Sequence, residues 1–201
     1  MQTETKEYQE YLGNKYLPGR SIYLNAIFYP KILKSLGAKG SIADLGCGYG
    51  EFLEFCKRRS IEVVGIDSNQ SMVDICQRKG YRALADNICS LDKLKNLNFE
   101  AAICDNVLEH LNHSEIQAFF ENVGKILSNN GTLVCIVPDK KGYKKDPTHK
   151  TFITRELIEY YLNKNGLVLA KHYNHPLNLG FLNRFFYLIM QVFVIKKEQI
   201  T

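Results

Sequence analysis

The hydrophobic residues of this chain fall in short apolar runs separated by stretches with helical spacing. The apolar runs predict β-strands at residues 41–45, 61–67, 81–85, 99–104 and 132–137. Between them, the spacing of apolar residues predicts helices at 50–59, 69–79, 90–97 and 114–127. The last of these is expected to begin at Ser114, a residue type that caps helices. Strands and helices that alternate in this way form a parallel sheet with helices on both faces.

The pattern changes after residue 150. It predicts a helix at 155–164, with Thr154 as its N-cap, and then a strand at 167–173. The next apolar run, 186–196, is typical of a further strand, and no helical stretch separates the two. Two strands joined without a crossover helix must pair antiparallel. We therefore expect a mostly parallel sheet with one reversed strand near the C-terminal end of the chain.

Residues 1–39 precede this alternation and are rich in aromatic side chains. Pro18 and Gly19 interrupt the segment, and the apolar residues that follow have helical spacing. Such helices either cover a face of the sheet or form a lid over a ligand-binding cleft. The chain has 201 residues, which is the usual length of one domain. We predict a single domain, 1–201, with 1–39 as a helical lid segment and 40–201 as the core.

The sequence IADLGCGYG at residues 42–50 joins the first predicted strand to the first predicted helix. It places an acid, Asp44, before glycines at every second position, Gly46, Gly48 and Gly50. Glycine allows positive φ angles and lets a ligand approach bare backbone. The following helix directs its N–H groups and the positive end of its dipole at the same point. This turn can therefore hold a carboxylate, a phosphate or the amino-acid end of a cofactor.

The acid and the glycine spacing separate this turn from the dinucleotide fingerprint GxGxxG. A carboxylate beside the turn suits a ligand with an ammonium group and repels a pyrophosphate. A second acid, Asp67, ends the next strand, where ribose hydroxyls are bound in such folds. The stretch DLGCGYG followed by Asp67 resembles motif I of the class I S-adenosylmethionine (SAM)-dependent methyltransferases. The alternatives are a structural glycine turn in another α/β protein and, disfavoured by the spacing, a nucleotide-dependent oxidoreductase.

The resemblance covers roughly residues 40–200 and implies the fold of that family. This is a Rossmann-like α/β fold with a seven-stranded, mostly parallel sheet in the order 3-2-1-4-5-7-6, whose last strand is antiparallel. The resemblance also implies that SAM is the cofactor and S-adenosylhomocysteine the product. The implied cofactor contacts are Asp44, Gly46, Cys47, Gly48 and Gly50 for the methionyl part, Asp67 and the adjacent Ser68 for the ribose side, Met72, Asp86 and Asn87 for the adenine, and Asp105 and Asn106 after the fourth strand.

Two histidines are the candidate catalytic residues. His149 lies in the segment DPTHKTFITRE, on a loop that can border the acceptor pocket. His110 lies in CDNVLEHLNH, just after the fourth predicted strand. Methyl transfer to a hydroxyl group benefits from a nearby base, and the pKa of histidine suits that task near neutrality. Each histidine could instead support its own loop, and the reaction could proceed by positioning alone because SAM is already activated.

Glu109, His110 and His149 could also form a metal site. This region resembles the small-RNA 3′-terminal 2′-O-methyltransferases, which carry an E-x-x-E-H motif and a later histidine. In this chain Asn106 stands at the position of the first glutamate of that motif. Because of this difference, the sequence analysis predicts no metal site.

Composition and charge limit the remaining possibilities. The six cysteines are scattered without a CxxC pair, which is typical of a reducing compartment, and the polar N-terminus has no signal-peptide pattern. The longest apolar run is too short to span a bilayer, so we expect a cytoplasmic protein. The net charge is +5, with lysines crowded at positions 140, 141, 144, 145 and 150. These lysines form either a solvated loop or a binding surface for a phosphate or an acidic sugar.

The sequence analysis therefore predicts a SAM-dependent methyltransferase. The expected acceptor is a hydroxyl group of a small molecule or glycan, and the lysines allow it to be anionic. One alternative is an RNA methyltransferase. A surface for single-stranded nucleic acid requires aromatic residues among the basic ones, and few accompany these lysines. Another is a SAM-binding protein without catalysis. The acceptor, the methylated atom and the oligomeric state are left open.

Overall fold

The computed structural model describes residues 20–37, 40–176 and 189–198, and its centre is one seven-stranded β-sheet. The strands are β1 (Ile42–Leu45), β2 (Val63–Asp67), β3 (Ala83–Ala85), β4 (Phe99–Asp105), β5 (Leu127–Pro138), β6 (Leu167–His175) and β7 (Met190–Lys197). Their order is β3-β2-β1-β4-β5-β7-β6. β7 is antiparallel to both of its neighbours, and the other pairs are parallel. The predicted fold and strand order are confirmed.

The helices follow the predicted alternation closely. They are α1 (Arg20–Tyr23), a π-helical turn (Leu24–Phe28), α2 (Tyr29–Leu36), α3 (Glu51–Lys57), α4 (Gln70–Arg78), α5 (His113–Ile126), α6 (Lys140–Tyr143) and α7 (Arg155–Leu162), with 3₁₀ turns at Asp92–Leu94 and Leu108–His110. Thr154 caps α7 as predicted, because its side chain accepts a hydrogen bond from the backbone N–H of Leu157. Among the described residues, no helix has the length and apolar character needed to cross a membrane.

Two of the predicted helix boundaries differ from the structure. The predicted helix at 90–97 is only a 3₁₀ turn, because Leu91 has a left-handed φ of 50° that a helix cannot continue through. Helix α5 is capped by Asn112 rather than Ser114. The side chain of Asn112 accepts from the N–H of Glu115, and the Glu115 carboxylate accepts from the N–H of Asn112. This reciprocal pair satisfies two helix-end donors and sets the start of the helix.

Helices bury both faces of the sheet. On one face, Phe28 and Ile32 of the N-terminal helices and Phe55 of α3 pack against the strands. On the other face, Phe120 of α5 and Tyr161 of α7 do so. The described part of the predicted lid segment, residues 20–37, thus covers one face of the sheet. Residues 1–19 and 38–39 lie outside the described residues, so the lid function of 1–39 stays a prediction.

Candidate active site

Three acidic residues lie at the carboxyl ends of neighbouring strands. Asp44 is in β1, Asp67 ends β2 and Asp105 ends β4, and parallel pairing puts all three at one edge of the sheet. The Asp44 side chain is buried, with only 3% of the residue exposed. Burial raises the pKa of Asp44 well above its usual range, and the nearby charges of Asp105, Asp67 and Glu51 raise it further. This concentration of carboxylates favours a cationic ligand.

The glycine turn after β1 lies directly beside these acids. Gly46 has a φ of 87°, and a Cβ atom at this position would lie 2.3 Å from Cγ2 of Val107. Gly48 has a φ of 50°, and a Cβ atom there would have no heavy atom within 4 Å among the described residues. The turn is therefore closely packed at Gly46 and open at Gly48. The contact between Gly46 and Val107 joins two loops that are distant in sequence, so the sequence alone does not give it.

Asp67 links the glycine turn to the start of α4. Its Oδ2 atom accepts a hydrogen bond of 2.9 Å from the backbone N–H of Gly48. Its Oδ1 atom accepts one of 2.8 Å from the N–H of Asn69, whose own side chain caps α4. Asp67, the residue predicted to bind the ribose, is thus held rigidly between two loops. The adjacent Ser68 is exposed. Met72, in the first turn of α4, is 2% exposed.

The other predicted cofactor residues occupy the loops after β3 and β4. Both carboxylate oxygens of Asp86 accept backbone N–H groups, from Asn87 at 2.8 Å and from Lys93 at 2.7 Å. Asn106 is exposed and left-handed, with a φ of 55°, and its side-chain amide donates to Oδ1 of Asp105 at 2.7 Å. These residues are well positioned at the same edge of the sheet. Their contacts with a cofactor stay predictions.

The side chain of Cys47 packs between the glycine turn and β2. The residue is 7% exposed, and its Sγ atom lies 2.8 Å from the place where a Cβ atom on Gly65 would be. A hydrogen bond with the Cys76 thiol raises the pKa of Cys47, and burial raises it further. The Cys76 thiol also donates to the carbonyl oxygen of Gly48 at 3.3 Å. Because the Cys47 side chain points towards β2, a cofactor contact at this position would come from its backbone.

The structure brings Glu109, His110 and His149 together next to this edge. Their ligand-type atoms all lie within 4.8 Å of one another, and the two imidazole rings have centroids 4.9 Å apart. Nδ1 of His149 donates to the carbonyl oxygen of Tyr143 at 2.8 Å, and its Nε2 lies 4.0 Å from Oε1 of Glu109. The side chain of His149 is 8% exposed. Its predicted role as a general base, and the one predicted for His110, stay predictions.

A cavity of about 430 Å³ lies between the N-terminal helices and the glycine turn. Its lining residues are Ser21, Leu24, Asn25, Tyr49, Glu51, Glu54 and Lys79.

On the other side of the site, the loop after β5 carries the predicted lysine run, and all five lysine residues are exposed. This loop is tied to the turn after β4, because the N–H of Lys150 donates to the carbonyl oxygen of Glu109 at 2.7 Å.

Comparison with known proteins gives matches to a methyltransferase domain, to a methyltransferase and to a synthase. Residues 42–131 match a family model described as a methyltransferase domain. A carboxy-S-adenosyl-L-methionine synthase from Campylobacter hominis is 30% identical over 67% of this chain and 58% of its own length. The tRNA (carboxymethyluridine(34)-5-O)-methyltransferase ALKBH8 of Mus musculus is 26% identical over 58% of this chain and 18% of its own length. The chain thus spans less than two thirds of the length of these relatives.

A solved structure of a SAM-dependent methyltransferase from Archaeoglobus fulgidus superposes on the fold. Its TM-score is 0.74 at 20% sequence identity, and the match covers 94% of this chain and 99% of the other. At this identity the likeness shows the fold.

Replacing Gly48 by alanine tests whether the open side of the turn holds the cofactor. The matched control is Gly37→Ala, because Gly37 also has a positive φ, 63°, and no heavy atom near the added Cβ among the described residues. Both changes should cost roughly 1–2 kcal/mol of stability through the left-handed backbone. Only Gly48→Ala should also weaken SAM binding, measured by calorimetry. Equal SAM affinity in the two variants would contradict the placement of the cofactor against Gly48.

Asp44→Asn tests the electrostatic character of the site. Because folding raises the pKa of Asp44, its ionisation destabilises the fold at every pH above the unfolded value. At pH 7–8 the asparagine variant should therefore melt above the wild type, by about 2–4 °C per kcal/mol for a domain of this size. The thermal shift produced by SAM should disappear, since the carboxylate that attracts the cation is gone. A variant that is less stable, or that keeps the full SAM shift, would contradict this account.

Proposed function

Because this chain belongs to the class I SAM-dependent methyltransferases, we propose that it transfers the SAM methyl group to a hydroxyl group of a small-molecule or glycan-type acceptor. The observation that carries the proposal is the meeting of the open glycine turn with Asp44 and Asp67. SAM supplies a methyl group already activated by its sulfonium charge. The chain's own task is to bind this cation, orient it and bring an acceptor oxygen to it.

The geometry of the three strand ends supports the cofactor-binding roles that we propose. The buried carboxylate of Asp44 would attract the ammonium end of the methionyl group, beside the bare backbone at Gly48. Asp67, held by two backbone N–H groups, keeps its oxygens in fixed positions for the ribose hydroxyls. Asp86 would accept from the adenine amino group at the end of β3. The carboxylates of Asp67 and Asp86 are each held by two backbone N–H groups, so little reorganisation of these two is needed when the cofactor binds.

The lysine loop supports an anionic acceptor. Lys140 and Lys141 begin α6 directly after the carboxyl end of β5, and both are exposed. The same loop is fixed to the turn after β4 by the hydrogen bonds from Lys150 and Thr151 to the Glu109 carbonyl oxygen. This placement supports the proposal that the charges of Lys140 and Lys141 face the acceptor, where they would attract a phosphate or a carboxylate. A neutral acceptor would gain nothing from them.

RNA is the competing acceptor. The relative named as a tRNA methyltransferase favours it, and the exposed lysines suit a phosphate backbone equally well. The described residues of the lysine loop include one tyrosine, Tyr143, which is stacked on His149 rather than offered to a base. A single-stranded RNA surface normally presents several aromatic rings for stacking. We therefore favour a small acidic acceptor over RNA.

An assay that follows the transfer of a labelled methyl group from SAM tests the proposal. The acceptor panel contains sugar acids, sugar phosphates, their neutral counterparts and a tRNA transcript. Transfer to the anionic sugars, with little to the neutral ones, supports the proposal. Transfer to the transcript alone would replace it with the RNA alternative. SAM binding without transfer to any member of the panel would favour a binding protein.

The double variant Lys140→Glu/Lys141→Glu tests the role of the lysine loop. It should raise the KM for the anionic acceptor about tenfold, equivalent to about 1.4 kcal/mol, and leave SAM affinity unchanged. The control is Lys125→Glu, because Lys125 is an exposed lysine in the last turn of α5, at the opposite end of β5. Equal KM values for the two variants would show that the loop does not contact the acceptor.

A further inference from the structure

A cluster of basic and aromatic side chains lies where helix α2 packs against β6, the last strand of the sheet. Lys171, Tyr173 and His175 alternate along β6 and therefore point to the same face of the sheet. Helix α2 covers this face. The Oγ atom of Ser35 lies 3.1 Å from the Tyr173 hydroxyl, and Nζ of Lys31 lies 3.1 Å from Nδ1 of His175. The fold thus brings two lysines and a histidine to one place.

The contact between Lys31 and His175 fixes the proton of the imidazole ring. An ammonium group can only donate, so Nδ1 of His175 accepts from Lys31 and the proton of the neutral ring is on Nε2. Burial lowers the pKa of His175, and the charge of Lys31 lowers it further, to about 4, so the ring is neutral at pH 7. The residue is 5% exposed, and its Nε2 atom has no hydrogen-bond partner among the described residues. The cluster therefore contains a buried N–H donor that lacks an acceptor.

Two ammonium groups lie against the single ring of Tyr173. Nζ of Lys31 is 4.6 Å from the ring centroid, and Nζ of Lys171 is 5.2 Å from it. Burial lowers the pKa of Lys31, and the charge of Lys171 lowers it further, because the two ammonium groups repel each other. The ion pairs found among the described residues include neither lysine. The cluster thus concentrates positive charge and hydrogen-bond donors without an anion to balance them.

We propose that Lys31 and Lys171 bind a small anion, a phosphate or a carboxylate group, and that His175 holds Lys31 in position for it. Such a group offers several acceptor oxygens and would relieve the repulsion between the two ammonium groups. Lys171 is exposed and has a flexible side chain, so it can turn towards an anion held at Lys31. The unpaired N–H of His175 adds a partial positive charge next to them.

The cluster lies at the same edge of the sheet as the lysine loop. His175 is paired with Met190 of β7, and Met190 is paired with Pro138 at the end of β5, two residues before Lys140. Neighbouring strands are about 4.8 Å apart, so His175 and Pro138 are separated by about 10 Å. The anion is therefore either an acidic group of the acceptor, in which case the inference rests on the proposed function, or a free ion bound beside the acceptor.

Calorimetric titration of the full chain with inorganic phosphate tests the proposal. It is run without SAM, so its failure is distinguishable from a failure of the proposed methyl transfer. We expect one phosphate per chain, and we expect Lys31→Gln and Lys171→Gln each to weaken binding at least tenfold. The matched controls are Lys34→Gln, an exposed lysine in the last turn of α2, and Lys164→Gln, a lysine 4.0 Å from the ring centroid of Tyr160. Both controls should bind phosphate as the wild type does.

Two replacements at His175 test its positioning role. His175→Leu removes the acceptor for Lys31 and should weaken phosphate binding. His175→Asn should restore most of the affinity, because the asparagine side-chain oxygen can take the place of Nδ1. A purely structural role would instead lower the melting temperature of the leucine variant and leave the phosphate affinity of the folded protein unchanged, which would contradict the role given to His175.

The melting temperature provides a second readout. In a buffer without phosphate or carboxylate, Lys171→Gln should melt close to the wild type, because Lys171 is exposed. Added phosphate should raise the melting temperature of the wild type and of Lys164→Gln, but not that of Lys171→Gln. If Lys31→Gln fails to fold, Lys171→Gln alone decides. No phosphate binding by the wild type, or equal affinity in Lys171→Gln and Lys164→Gln, overturns the proposal.

Competition identifies the source of the anion. In the methyl-transfer assay, phosphate that competes with an anionic acceptor supports a site for the acceptor's own acidic group. Phosphate that binds without competing supports a site for a free ion. Both outcomes require the phosphate affinity to depend on Lys31 and Lys171.

Discussion

The candidate site depends on the two hydrogen bonds accepted by the carboxylate of Asp67. One comes from Gly48 and holds the glycine turn after β1, and the other comes from Asn69 and holds the start of α4. A single side chain thus sets the distance between the two loops that flank the cofactor site. The left-handed backbone at Gly48 is strained for any other residue, and the bond to Asp67 keeps it in place. The proposed cofactor binding and the local structure are therefore coupled at this residue.

Charge is concentrated at the site at a cost to the stability of the chain. Asp44 is buried among acids, Glu109 is buried without a hydrogen-bond partner in the described part of the chain, and both have raised pKa values. A fold optimised for stability alone would not keep two such carboxyl groups. A cationic cofactor accounts for the buried carboxyl group of Asp44. Glu109 lies in the turn after β4, where its Oε1 atom is 4.0 Å from Nε2 of His149.

Much of the fold was predictable because its signals are local. Apolar runs and the missing helix between the last two strands predict the strands and the reversed β7. The strand order is what the family resemblance of the DLGCGYG turn implies. The start of α5 was placed wrongly, because Asn112 and Ser114 are both good caps and only Glu115 distinguishes them. The burial of both Glu109 carboxylate oxygens was not predictable. It depends on how the loop after β5 packs on the turn after β4, two segments almost forty residues apart.

The most direct test of this account is the binding of S-adenosylhomocysteine to Asp67→Ala and to the wild type, measured by calorimetry. The account predicts a loss of at least tenfold in affinity, since each hydrogen bond to a charged group contributes roughly 1.5–3 kcal/mol. Circular dichroism should show the same helix content in both proteins. Unchanged affinity in a folded Asp67→Ala variant would contradict the central claim that this carboxylate binds the cofactor.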